Sequence, residues 1–197
     1  MNATTTRLAW AALLVFACAL IGLGAQWPPF SHADHPVAFA GMHGVEGAWL
    51  FNAMVFVVPG LLVSLVALRL RASHAHDARW QVRIGATLLL LSALAFAAQG
   101  MLPLDPDDID AGRSRWHASA WMAWWISFAA GALLYARSTL AQHLVAVAAV
   151  LLVLALVLFA SHWLPAGVAQ RIAFAVWFGW FWFAARSISR AGASAPG

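Results

Sequence analysis

Six stretches of the chain, near residues 8–25, 48–68, 82–101, 117–135, 141–161 and 168–186, run as almost unbroken hydrocarbon. Each is about 18 to 22 residues long, enough for a helix to cross a hydrocarbon layer roughly 30 Å thick. Backbone that meets no water must satisfy its own amides, and the runs lack the period-two alternation of a barrel strand, so each is predicted to be an α-helix. The expected fold class is all-α: a polytopic membrane protein with a single bundle of six transmembrane helices over 1–190 and a disordered tail over 191–197. Composition agrees, since 63% of the 197 residues are hydrophobic and 9% are charged, against about a quarter charged in soluble domains.

The charges that remain point to an orientation. All eleven basic side chains are arginines, and they sit at the ends of the apolar runs. If the chain starts inside, Arg7, Arg69, Arg71, Arg79, Arg83, Arg137, Arg186 and Arg190 fall on one side, leaving Arg113, Arg115 and Arg171 opposite. The positive-inside rule then places both termini in the cytoplasm, and Trp27, Trp49, Trp116 and Trp163 fall at the outer boundary, where indole rings prefer to sit. The expected location is the bacterial inner membrane, with the loops rich in His and Asp facing the periplasm. The net charge of +4 thus serves topology, and no nucleic-acid partner is expected. The first run is too long for a signal-peptide core of roughly 7–15 residues. Cys18 is the only cysteine and lies in mid-helix, so no disulfide is expected.

Polar groups gather at the outer helix ends. Gln26, Glu46, Asn52, Gln99, His117, Ser119 and His162 all lie there. A polar side chain about a turn below the surface costs free energy unless it is paired or faces a cavity. Asn52, Gln99 and His117 are therefore the expected anchors of an outward-facing pocket for a membrane lipid or other small amphiphile. Against this stands the plainer alternative that each group is hydrated at its own helix end.

The outer loops also hold possible metal ligands. In SHADHPVAFAGMHGVEGAW, His32, Asp34 and His35 form a cluster, and His43 and Glu46 would share a helix face. With Asp105 and His117, the residues His35, His43 and Glu46 offer nitrogen and oxygen donors suited to a divalent transition metal. This supports a second reading, a metal-dependent membrane hydrolase in which a zinc held by these side chains activates water. No H-E-x-x-H or G-x-S-x-G motif accompanies it. The bland reading of the same stretch is a solvated loop with Ser31 capping a short helix. The acidic loop Asp105, Asp107, Asp108 and Asp110 fails the EF-hand pattern, because Ile109 and Trp116 stand where ligands belong, and Ser114 is expected to cap the fourth helix. A third reading is a structural or assembly subunit, as a homo-oligomer or within a membrane complex.

Two cofactor classes are disfavoured. Retinal bound as a Schiff base needs a lysine, and the chain has none. Haem across the bilayer needs two histidines on facing helices at like depth, whereas His43, His117, His143 and His162 all lie at helix ends. The aromatic stripes Trp121, Trp124, Trp125 and Trp177, Trp180 are read as packing. Pro59 should disturb the second helix by releasing a carbonyl near Val55.

Several of these residues carry a resemblance. Through His35–Gly41 after the first helix, Phe51, Asn52 and Gly60 on the second, and Gly100, Pro103, Asp105 and His117 around the loop after the third, the chain resembles the bacterial six-helix family called domain of unknown function 998. More distantly it is similar to Frag and DRAM-type membrane proteins, which are associated with lipids and membrane trafficking. The resemblance spans residues 8–186 and implies the six-helix fold and a shared outer-face motif; it implies no reaction. Such proteins often carry serine where Ala38 stands.

Overall fold

The computed structural model describes residues 2–73, 79–109, 112–136 and 139–193, and among these the regular elements are all helical. Among the described residues six helices are long and apolar enough to cross a membrane. They are α1 (Asn2–Gly24), α2 (Ala48–Ala72), α3 (Trp80–Met101), α4 (Gly112–Tyr135), α5 (Leu140–Leu158) and α6 (Ala166–Ala193). Short 3-10 turns at Val37–Gly41 and Ala160–His162 lie outside them. His74, His76, Asp77, Asp110 and Arg137 fall outside the described residues.

The ends of the helices differ from expectation for local reasons. Helix α4 begins at Gly112, whose φ of 50° only glycine adopts readily, so Ser114 lies within the first turn and is not its cap. Hydropathy misses that turn because it is polar. Helix α5 stops at Leu158, since Phe159 leaves helical geometry and leads into the second 3-10 turn. Helix α6 continues to Ala193, so Ala191–Ala193, expected in the disordered tail, are helical.

The helices stand in a ring in chain order, with α6 closing against α1 and α2 also touching α6. Small residues set the closest seams, as they do where helices associate without a water-driven force. A Cβ on Gly85 would lie 2.7 Å from the Tyr135 backbone nitrogen, and one on Gly60 would lie 2.7 Å from the Ala97 nitrogen. These close approaches leave the centre of the ring to be filled by rings. Phe96 on α3 stacks on Trp177 of α6 at 4.8 Å and 22° and meets Phe174 edge-on at 5.0 Å. Trp124 on α4 meets Phe174 edge-on at 4.9 Å. The tryptophan stripes are thus core packing. One hydroxyl threads them together: Ser92 donates to the Trp124 carbonyl at 2.9 Å and accepts from Trp177 Nε1 at 3.0 Å.

The disturbance expected from Pro59 takes the form of a π-helical turn at Ala53–Val57, immediately below Asn52. Pro59 supplies no N–H to the Val55 carbonyl, and a wider turn upstream accommodates that loss while the helix runs on to Ala72.

Candidate functional site

One end of the bundle carries residues 25–47 and 102–109; we call it the loop-rich end. The first of these segments folds on itself before it folds on the helices. Ser31 Oγ donates to Asp34 Oδ2 at 2.7 Å while the Asp34 amide donates back to Ser31 Oγ at 3.2 Å. His35 Nδ1 accepts the Ser31 amide at 3.0 Å, and its ring stacks on Phe39 at 5.6 Å. Pro36 then leads into the 3-10 turn, whose Val37, Ala38, Ala40 and Gly41 are buried.

Three attachments hold this turn against the helices. Asn52 Nδ2 donates to the Gly41 carbonyl at 2.7 Å, and a Cβ on Gly41 would collide with the Asn52 amide. Gln170 Oε1 on α6 accepts the Val37 amide at 2.6 Å. Arg171 donates from Nη1 to the carbonyls of His35 at 3.0 Å and Gly167 at 2.7 Å, and its guanidinium covers the Phe30 ring at 5.4 Å. The second loop joins the first, because the His43 amide donates to the Leu104 carbonyl at 2.8 Å. Ser114, expected as a cap, accepts the Asp105 amide at 3.0 Å and so pins that loop to α4.

Arg171 has a role that its place in the sequence reading missed. It figures there only as a cation on the side with few arginines. Its side chain is half-buried and Nη2 lies 3.4 Å from His32 Nδ1. Partial burial and the neighbouring guanidinium both hold the His32 pKa below its ordinary value, so this ring is neutral and accepts from Arg171. The available signal was an arginine in the first turns of an apolar helix with no acid nearby in sequence.

Beneath the first loop lies a cleft of about 360 Å³ between α4, α5 and α6. Its walls are chiefly apolar, with Phe39, Leu104, Trp121, Leu156 and Val157 among them, and its polar side chains are His117 and Gln170. His117 Nδ1 lies 2.9 Å from the Leu102 carbonyl and 3.2 Å from that of Gln99. Carbonyls only accept, so Nδ1 carries the hydrogen and caps the end of α3, which in the neutral ring leaves Nε2 as a lone-pair acceptor. Gln170 is complementary. Its oxygen holds the Val37 amide, which leaves its NH2 group as a donor.

The three expected anchors are close in the fold but differ in what they do. His117 meets the Gln99 carbonyl, and the Asn52 carbonyl sits 2.7 Å from where a Cβ on the next residue, Gly100, would be. Of the three, His117 alone lines the cleft. Asn52 is engaged by Gly41, and the Gln99 amide is 1% exposed with neither of its atoms hydrogen-bonded among the described residues. Gln26, Glu46, Ser119 and His162 are exposed and do not join them. Gln170 joins the cleft instead, and no depth or hydropathy signal marks it.

The metal ligands proposed from sequence do not assemble. Among the described residues no three His, Cys, Asp or Glu side chains lie together in a way that could hold a metal ion. His35 Nδ1 is occupied by the Ser31 amide, His43 and Glu46 are exposed, and Asp105 Oδ1 accepts the Asp107 amide at 3.1 Å.

The class that fold and site define is a ring of six apolar helices with a mostly apolar cleft at its loop-rich end. No protein-family model, curated protein or solved structure gives a significant match to this chain.

Proposed function

We propose that the chain is an integral protein of the bacterial inner membrane, both termini cytoplasmic, that holds an uncharged, hydroxyl-bearing amphiphile in the cleft at its periplasmic end. The observation that carries this reading is the composition of the cleft wall. His117 and Gln170 are the polar side chains of an otherwise apolar wall, and among the described residues no charged side chain lines it. A phosphate or ammonium would leave water for a site with no counter-charge, at a cost of several kcal/mol, whereas a hydroxyl or ester needs only one donor and one acceptor. Six helices of membrane-crossing length and the sidedness of the arginines support the bilayer setting. Membership in the family of domain of unknown function 998 belongs to the same proposal. Its supporting residues are spatial neighbours here, with Gly41 on Asn52, Gly100 on the Asn52 carbonyl and His117 on the end of α3.

The test is lipid extraction and mass spectrometry of the detergent-purified protein, followed by binding of added diacylglycerol and long-chain alcohols. Wild type should retain a neutral amphiphile. Ala118→Trp fills the cleft from an exposed wall position without touching the His117 cap and should abolish retention, while His117→Ala should weaken it about tenfold or more, as for loss of a buried hydrogen bond. Undiminished binding by Ala118→Trp would sink the proposal, as would failure of the wild type to bind any of these compounds.

A further inference from the structure

At the opposite end of the bundle, where α2 ends and α3 begins, a second cleft of about 330 Å³ opens between the two helices. Arg71 and Arg83 line its rim, Trp80 stands beside them 64% exposed, and Ile84 and Leu88 line it with apolar surface. Thr87 adds a hydroxyl oxygen, its own hydrogen being donated to the Arg83 carbonyl at 3.0 Å. The five acids among the described residues, Asp34, Glu46, Asp105, Asp107 and Asp108, lie in the segments of the loop-rich end; Asp77, between α2 and α3 in sequence, and Asp110 lie outside the described residues. Among the described residues, therefore, neither guanidinium meets a carboxylate.

We propose that this cleft binds the phosphate of an anionic phospholipid from the cytoplasmic leaflet. Two planar guanidiniums flanking one cavity match the several oxygens of a phosphodiester, each fork able to donate two hydrogen bonds. The apolar side chains are what distinguish a lipid from a free anion. A soluble phosphate would use the guanidiniums and leave Ile84 and Leu88 facing water, while a lipid covers them with its glycerol and upper acyl chain. Trp80 is placed as an interfacial indole would be, level with the headgroup. This site shares no residue with the cleft under the first loop and does not depend on it.

The proposal rests on the bilayer reading, and the experiment separates the two. Full-length protein in neutral detergent is offered equal amounts of phosphatidylglycerol and phosphatidylcholine and the bound lipid is read by native mass spectrometry. Phosphatidylglycerol should be retained in preference, and Arg71→Gln with Arg83→Gln should cut that preference about tenfold or more. Arg113→Gln, at the other end, should leave it unchanged, and Asp77→Asn should keep or strengthen it. Equal retention of the two lipids overturns the site, as does a wild-type preference in the double variant. So does displacement of the lipid by inorganic phosphate at equal concentration, since the acyl chains would then contribute nothing. Circular dichroism confirms that the double variant folds, and Arg83→Gln alone is read if it does not. A chain that stays in solution without detergent would end the bilayer reading itself.

Discussion

Asn52 and Gly41 show how a single polar side chain, buried at 7% exposure, can fix a whole loop. The loop turn is tightest against α2 where residue 41 has no side chain, and that contact brings the carbonyl within 2.7 Å of the Asn52 amide. Gly41→Ala should therefore destabilise the protein by about 1–3 kcal/mol through overpacking. Asn52→Ala should cost about as much by leaving a buried carbonyl unpaired. Because Asn52 is itself the obstacle, the two losses should not add: Gly41→Ala should cost much less in an Asn52→Ala background. Thermal unfolding of the four proteins in detergent measures the coupling, and strictly additive losses would contradict the contact. His32 supplies a pH dependence of definite sign. Burial and Arg171 lower its pKa in the native protein, so once the pH falls below the ordinary value of 6.5 the unfolded chain binds more protons than the native one. Stability should fall with pH below that point and level off once the native ring is also protonated. His32→Gln, which keeps an acceptor but does not titrate, should lack this component in melting temperatures taken from pH 7.5 to 4.5.

At the scale of elements, the seam between α2 and α3 governs how the loop-rich end is held. Gly100 lies so close to α2 that a Cβ there would sit 2.7 Å from the Asn52 carbonyl and 2.8 Å from Phe56 Cβ. Gly100→Ala must push the helices apart and should cost about 1–3 kcal/mol. Gly179, also helical, has nothing within 4 Å of its would-be Cβ, so Gly179→Ala should be neutral or stabilise by about 0.5–1 kcal/mol. Melting temperatures that fell equally for both would show that the seam is not as tight as this spacing requires. The helices themselves were legible in sequence, because membrane-length apolar runs leave backbone little choice. Which glycine faces a neighbour was not, since Gly100 and Gly179 sit in similar apolar surroundings and differ only in what stands opposite. The site divides the same way. Depth picked out Asn52, Gln99 and His117, of which only His117 lines the cleft, whereas Gln170 and Arg171 stand in the first turns of α6, where polar residues are ordinary, and only the path of the first loop gives them partners.

The two ends of the whole molecule are chemically unlike, and that asymmetry is what a bilayer would read. The loop-rich end holds nearly all the acids, a folded cover and a neutral cleft, while the other holds most of the arginines and a cleft rimmed by two of them. Exposed tryptophans stand at both ends, with Trp49, Trp116 and Trp163 at the first and Trp80 at the second. Between them the surface is apolar, and the lone Cys18 is exposed within that band on α1. These positions allow the orientation to be tested on intact bacteria with a membrane-impermeant maleimide. In a Cys18→Ser background, Trp163→Cys should label from outside, and Trp80→Cys should label only after the inner membrane is opened. Wild-type Cys18 should resist labelling in both conditions, because a thiol in hydrocarbon is neither reached by the reagent nor ionised to the reactive thiolate. Interchanged labelling of positions 163 and 80 would invert the topology and put the neutral cleft in the cytoplasm. Ready labelling of Cys18 in intact cells would mean that the apolar band of α1 faces water, which a surface bearing Leu14 and Ile21 more than half exposed could not sustain in a monomer.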